Sequence, residues 1–273
     1  MNKTLFISDL DGTLLDDSAV LNDTTASIIN ELIEKGALFT CATGRSFTSA
    51  AKIINKLNLN LPVATYNGAF LVSPESGKII EKHGISKTLI AELAENISNL
   101  GIAPLVYSII NGEEKVSWIK GKESSGIQNY VNSRSDSRMH PVESASQLYE
   151  GDVFYITIIG GESDLPALAQ FVTDNPYVHC NLQQDTYEKH EYWLDIYNKN
   201  SSKEHAVYRL KEYCGADTVI CFGDNINDIP MFRAADKTIA VSNAHDELKA
   251  IAHTVIGSNN DNSVAKWIKA NYF

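Results

Sequence analysis

Asp9-Leu10-Asp11-Gly12-Thr13 closes the first apolar run of the chain with two carboxylates one residue apart beside a glycine turn. Along a strand, positions i and i+2 project to one face, so this spacing predicts that Asp9 and Asp11 share one small space where the chain leaves its sheet. Like charges placed so repel: at an effective dielectric of about 20, two unit charges about 4 Å apart cost roughly 4 kcal/mol. Such a site requires a cation, a shifted pKa or a cationic substrate.

Three other segments carry groups that could complete it. Thr43-Gly44-Arg45-Ser46 offers a hydroxyl and exposed backbone amides at a helix start, Lys203 offers a cation, and Gly223-Asp224-Asn225-Ile226-Asn227-Asp228 offers more oxygens. Each is weak alone, because Asp-Gly is ordinary turn chemistry and a lysine near a helix start is usually a solvated charge. The signal lies in their conjunction. The histidines show no ligand spacing with one another or with cysteine, which argues against zinc.

Elements along the chain must bring these segments together. Residues 4 to 8 read as a strand buried on both faces. Asn22-Asp23-Thr24 supplies N-cap chemistry for a helix carrying Ile29, Leu32 and Ile33, Gly36 stops it, and Leu38 to Ala42 is the next strand. That order makes a right-handed βαβ unit with a parallel sheet. A second amphipathic helix carries Ile53, Ile54 and Leu57, Val63 to Tyr66 is a third strand, and Asn67-Gly68 with Ser76-Gly77 punctuates a hairpin-like stretch.

The pattern changes after about residue 83. A helix over 86–100, antiparallel strands over 105–110 and 116–119, a polar stretch over 120–138, a strand over 153–159, a helix over 163–173 and a strand near 177–182 read as an inserted α+β domain. Asp195-Ile196 is read as the last core strand to enter, before a helix over 201–214 and a strand over 218–222. The expected fold is α/β: a doubly wound, mostly parallel, Rossmann-like core over 1–82 and 187–273, with an inserted α+β cap over 83–186. Such sheets bind ligands at the carboxyl ends of their strands, which puts both acidic loops and Thr43 on one rim.

Composition narrows the partners. With 273 residues, 44% of them hydrophobic, the chain can fill two cores. A net charge of −11 without clustered Lys and Arg argues against nucleic acid and anionic membranes. The four cysteines form no CxxC pair and read as free thiols in a reducing compartment. No signal peptide or long apolar span is visible, so a cytoplasmic protein is expected. A monomer is compatible with the sequence, which is silent on oligomeric state.

Read together, the Asp9 to Thr13, Thr43-Gly44, Lys203 and Asp224 to Asp228 segments resemble the haloacid-dehalogenase superfamily of aspartate-nucleophile phosphatases. The inserted domain and the wording Gly-Asp-Asn-Ile-Asn-Asp-Ile-Pro-Met are most similar to its Cof-type sugar-phosphatase branch. The resemblance implies that Asp9 attacks phosphorus and carries an aspartyl-phosphate, while Asp11 protonates the leaving oxygen and then deprotonates water. It implies Mg²⁺ between Asp9, the Asp11 carbonyl, Asp224 and the phosphate, with Asp228 holding the metal's waters. Thr43, the Gly44 amide, Asn227 and Lys203 would hold the remaining phosphoryl oxygens.

The implied activity is hydrolysis of a small phosphate ester, a sugar phosphate, with the inserted domain closing over the site. A phosphomutase on the same capped fold and a non-catalytic phospho-acceptor or phosphate-binding protein are the alternatives. Arg45 is read equally as a substrate contact and as a structural residue. Lys120, Lys122, Arg134 and Arg138 are candidate specificity residues against the plainer reading of a solvated loop, and Tyr187, Tyr192 and Trp193 are read as packing. The chain departs from the family pattern at Glu204, an acid directly after Lys203.

Overall fold

The computed structural model describes residues 3–133, 136–161, 165–184 and 191–272; Arg134, Tyr187 and the first two residues of the expected 163–173 helix lie outside these. In chain order the elements begin with β1 (Thr4–Ser8), α1 (Asp23–Glu34), β2 (Leu38–Cys41), α2 (Phe47–Ile54), β3 (Val63–Thr65), β4 (Phe70–Val72) and β5 (Ile79–Lys82). Then come α3 (Lys87–Asn99), β6 (Leu105–Ile110), β7 (Glu113–Ile119), α4 (Ser125–Asn132), β8 (Met139–Val142), α5 (Ala145–Leu148), β9 (Asp152–Gly160) and α6 (Leu165–Thr173). The chain continues through β10 (Val178–Gln184), β11 (Tyr192–Asn198), α7 (Lys203–Cys214) and β12 (Thr218–Gly223). It ends with α8 (Ile229–Ala234), β13 (Lys237–Ala240), α9 (Asp246–Ile251), β14 (Thr254–Val255) and α10 (Ser263–Tyr272). They form two compact units, Met1–Lys82 with Asn200–Phe273, and His83–Lys199.

The first unit is built on a five-stranded parallel sheet in the order β14-β13-β12-β1-β2. Leu5, Phe6 and Ile7 of β1 are all buried, as both faces of a parallel sheet covered by helices require. From β1 the chain winds outward to β2 on one side, and from β12 it winds to β13 on the other. The strand order therefore reverses between β1 and β12, and the crevice at their carboxyl ends is where such sheets take ligands. Helix α1 starts where the sequence says it should, with the Asn22 side chain accepting from the Thr24 amide.

Strand β3 differs from expectation. It pairs antiparallel with β4, which pairs with β5, and it reaches the parallel sheet only through a single bridge between Ala42 and Ala64. Pro62 has no N–H to extend the ladder, and its carbonyl is taken by the Thr40 hydroxyl at 2.6 Å.

The second unit carries a six-stranded sheet in the order β10-β11-β9-β6-β7-β8, antiparallel except for the β7–β8 pair. Val106, Ile156, Leu194 and Ile196 from the sheet pack with Leu93 of α3 and Leu168 of α6 into its core. Asp195-Ile196 therefore belongs to the inserted sheet, paired with Asn181-Cys180 on one side and Thr157-Ile156 on the other, and is not a core strand. Alternating in-and-out residues favoured this half-buried antiparallel setting over a fully buried parallel one. The second boundary correspondingly falls between Lys199 and Asn200, beyond the expected 186/187.

Candidate active site

Asp9 is the first residue beyond β1, tied to β12 by its amide, which donates to the Phe222 carbonyl at 3.0 Å. The strand ends there, and the alternation that would have stacked Asp11 beside Asp9 ends with it. Leu10 turns into the core, Gly12 takes a φ of 71°, and the chain makes a wide turn over Leu10–Leu14. A β-carbon at Gly12 would stand 2.4 Å from Asp224 Oδ2, so this turn presses its backbone against the second acidic loop. Asp11 is consequently half-exposed, and its carboxylate receives Arg45 as a fork, Nε to Oδ2 at 2.7 Å and Nη2 to Oδ1 at 2.5 Å. Asp11 is thus held by Arg45, whose guanidinium also feels the charge of Asp9.

Asp9 has different neighbours. Its Oδ1 accepts from Lys203 Nζ at 2.6 Å, and the same ammonium donates to Asp228 Oδ1 at 2.6 Å. The Lys203 side chain is 0% exposed and that of Asp228 is 0% exposed, so this is an interior pair and no solvated surface charge. Ser202 caps α7, accepting from the His205 amide, and this places Lys203 at the first helical position. Glu204 turns away to the Tyr208 hydroxyl at 3.4 Å and leaves Lys203 to the two aspartates.

The second acidic loop is self-capped. Asp228 Oδ2 accepts from the amides of Asp224 and Asn225 at 3.0 and 3.1 Å, and Asp224 Oδ1 accepts from the Thr13 hydroxyl at 3.0 Å. Its outer side is fastened as well. His245 donates its amide to the Asp224 carbonyl, and Asn243 Nδ2 donates to the Gly12 carbonyl. Single carboxylate oxygens of Asp9, Asp224 and Asp228 lie within 4.8 Å of one another.

Three carboxylates around one ammonium leave two negative charges uncompensated when all are ionised. Burial, opposed by Lys203 and reinforced by Asp228 and Asp224, pushes the Asp9 carboxyl up to about 8. Burial and nearby Asp228 push Asp224 up to about 6 against the Thr13 hydrogen bond. Burial draws the Lys203 ammonium down, but Asp228 and Asp9 more than reverse this, and its pKa is raised. The donor set is all oxygen, anionic and two charges short of neutrality, which fits a hard divalent cation.

Thr43 follows β2, whose Cys41 stands opposite Ser8 of β1, so its segment adjoins Asp9 at the sheet rim. Thr43 is buried, with Oγ1 accepting from the Arg45 amide at 3.1 Å. Gly44 is exposed, and its N–H makes no hydrogen bond among the described residues. Asn227 is exposed on the second acidic loop and makes no hydrogen bond to the other site residues among those described. The structure thus brings together Asp9, Lys203, Asp224 and Asp228, couples Asp11 to Arg45, and leaves Asn227 at the surface.

Sequence reasoning missed Thr13, Asn243 and the loop Tyr66-Asn67-Gly68. The Asn67 amide donates to the Thr43 carbonyl at 2.9 Å and the Tyr66 amide to the Arg45 carbonyl at 3.0 Å. Asn-Gly read only as a turn, and a turn dipeptide does not say which loop it will touch. Arg138, considered for specificity, is buried in ion pairs with Glu114 at 2.8 Å and Asp136 at 2.7 Å within the inserted unit.

Comparison with known proteins gives one consistent answer. The family described as haloacid dehalogenase-like hydrolases matches residues 6–268. The 5-amino-6-(5-phospho-D-ribitylamino)uracil phosphatase YitU of Bacillus subtilis (strain 168) is 24% identical over 273 residues, covering 97% of this chain and 96% of that protein. The pyridoxal phosphate phosphatase YbhA of Escherichia coli (strain K12) is 26% identical over 279 residues, covering 98% of each. The crystal structure of a Thermotoga maritima protein superposes with a TM-score of 0.79 at 24% identity, covering 100% of this chain and 98% of that one.

Proposed function

The chain belongs to the haloacid dehalogenase-like hydrolase family, and we propose that this phosphoric monoester hydrolase cleaves a small phosphorylated metabolite, a sugar or polyol phosphate, through an acyl phosphate on Asp9. The observation that carries this reading is the cluster of Asp224 with the buried Asp9 and Asp228, which Lys203 bridges, at the point where the strand order reverses. The two relatives named above act on small phosphorylated molecules, which supports the substrate class. All four cysteines are free thiols, in keeping with the reducing cytoplasm where we place the protein.

In this reading Asp9 attacks phosphorus in line, a bond forms between its carboxylate oxygen and phosphorus, and the ester P–O bond breaks. Asp11 gives its proton to the departing oxygen and takes one from the water that clears the acyl phosphate. Asp9, Asp224 and Asp228 would hold a divalent cation such as Mg²⁺, which when bound would supply the charge neutralisation that a phosphoryl dianion demands. Lys203 keeps Asp9 oriented, and the buried Thr43 hydroxyl and unpaired Gly44 amide offer donors to the phosphoryl oxygens.

Phosphate release from p-nitrophenyl phosphate tests the scheme. Asp9→Asn is expected to abolish it with the thermal transition retained, and excess EDTA to silence the wild type until Mg²⁺ is restored. Ordinary turnover in Asp9→Asn would remove the nucleophile, and full rates in EDTA would remove the metal.

A further inference from the structure

A bare sheet edge is a template for another strand, and folded proteins ordinarily blunt it with shortness, charge, proline or a covering segment. Among the described residues, five of the six sheet ends are blunted in this way. Strand β14 is two residues long, β5 carries Glu81 and Lys82 within four, and β8 carries Pro141 within four. Strands β2 and β3 close on each other through the Ala42–Ala64 bridge. The sixth end is β10, where Val178–Gln184 runs for seven residues with no charged residue and no proline.

The register tells which backbone groups of β10 are free. The Lys199 amide donates to the Tyr177 carbonyl at 3.0 Å, and the pairing continues through His179 with Tyr197 and Asn181 with Asp195. Residues of an antiparallel ladder alternate between facing the partner strand and facing away. Positions 177, 179 and 181 therefore commit their backbone groups to β11, while Val178, Cys180 and Leu182 direct theirs outward. No backbone group among the described residues pairs with them.

Side chains add a second observation. The second unit exposes three large apolar side chains among those described, Leu100, Tyr177 and Leu182, and two of these lie on or beside this edge, Tyr177 at 72% and Leu182 at 39%. Leu182 shares its face with the buried Val178 and with Cys180, whose thiol meets the Ala169 carbonyl of α6 at 3.6 Å. An apolar side chain thus stands uncovered at the rim of a core.

A second copy of the chain fits this edge. Each copy carries a net charge of −11, so most approaches of one to another set carboxylates against carboxylates, and this strand has none to oppose. Antiparallel overlap along the whole strand puts Asn181 on a two-fold axis, an isologous arrangement in which Cys180 and Leu182 stand opposite the partner's Leu182 and Cys180. Outward groups then meet outward groups. We propose that β10 joins two copies of this protein edge to edge, running their six-stranded sheets into one and covering Leu182 of each.

Sedimentation velocity on the full chain over a concentration series tests this, and the wild type is expected to dimerise. Across the axis the two Leu182 side chains are diagonal neighbours on one face, within reach of long side chains. Leu182→Lys and Leu182→Glu should therefore each weaken the dimer by roughly tenfold or more, through like charge and lost apolar contact. An equimolar mixture of the two should associate more tightly than either alone, which misfolded variants could not do. A wild type monomeric throughout the series overturns the proposal and leaves the edge to an extended segment of another protein. A dimer as tight in both variants as in the wild type, or a mixture no more associated than its parts, overturns it as well.

Discussion

Lys203 shows how a single side chain can resolve a conflict that the sequence only poses. Carboxylates brought together at the end of a buried strand repel, and Lys203 answers by bridging Asp9 and Asp228 at 2.6 Å each from a fully buried position. A cation at a helix N-terminus is ordinarily unfavourable, and two adjacent carboxylates outweigh that cost. Replacing Lys203 with Met leaves both acids buried without their partner, and the expected loss is about 3–5 kcal/mol at neutral pH. Urea unfolding in EDTA reads this directly; a midpoint equal to that of the wild type would show the bridge to be energetically idle. The Asp11–Arg45 pair differs because Asp11 is 49% exposed, so its contribution to stability is small and its interest lies in where it holds the carboxylate.

Among the elements, short connections and not regular helices or strands decide the site. The turn after β1 carries Asp11 outward, the self-capped loop after β12 presents Asp224 and buries Asp228, and the Tyr66–Gly68 turn braces the Thr43 segment against α7. Gly68 is the tightest of these joints. Alanine there must accept a φ of 101° and a β-carbon 2.4 Å from the Ser202 carbonyl oxygen, a backbone atom that cannot swing aside. Gly68→Ala is therefore expected to cost about 2–4 kcal/mol and to lower turnover by displacing the start of α7. Chemical denaturation and kcat measured on the same preparation check both halves, and a change in neither would mean that α7 and the loop are not in fact braced. Most helices and strands of the first unit were legible as apolar runs, α1 between Asn22 and Gly36 among them, whereas α4 lies in a stretch that read only as polar. The joints were not, because their geometry depends on partners far along the chain.

At the scale of the molecule, the uncompensated charge couples folding to pH and to metal. Asp9 is raised to about 8 and Asp224 to about 6, both above the ordinary 3.8, so each is more easily protonated in the fold than in the unfolded chain. Stabilisation from such groups is full below their unfolded pKa and is lost progressively as pH rises from there through the folded values, the loss being complete near 6 for Asp224 and near 8 for Asp9. A divalent cation bound to the ionised site offsets that loss. The gain in thermal midpoint on replacing EDTA with Mg²⁺ should accordingly be larger at pH 8 than at pH 5. Scanning calorimetry at the two pH values decides the matter, and a gain that is equal or reversed in order would contradict the charge count.

The amino-acid order by itself carried the motifs whose resemblance named the family and, in local patterns of apolar residues, caps and turns, the parallel core with an inserted α+β unit. Tertiary structure decided what those patterns do not encode. It set Asp11 on Arg45, moved Asp195-Ile196 into the inserted sheet and buried Lys203 between two acids. Each of these depends on which distant groups compete for the same volume and the same hydrogen bonds, and that competition exists only once the chain has folded.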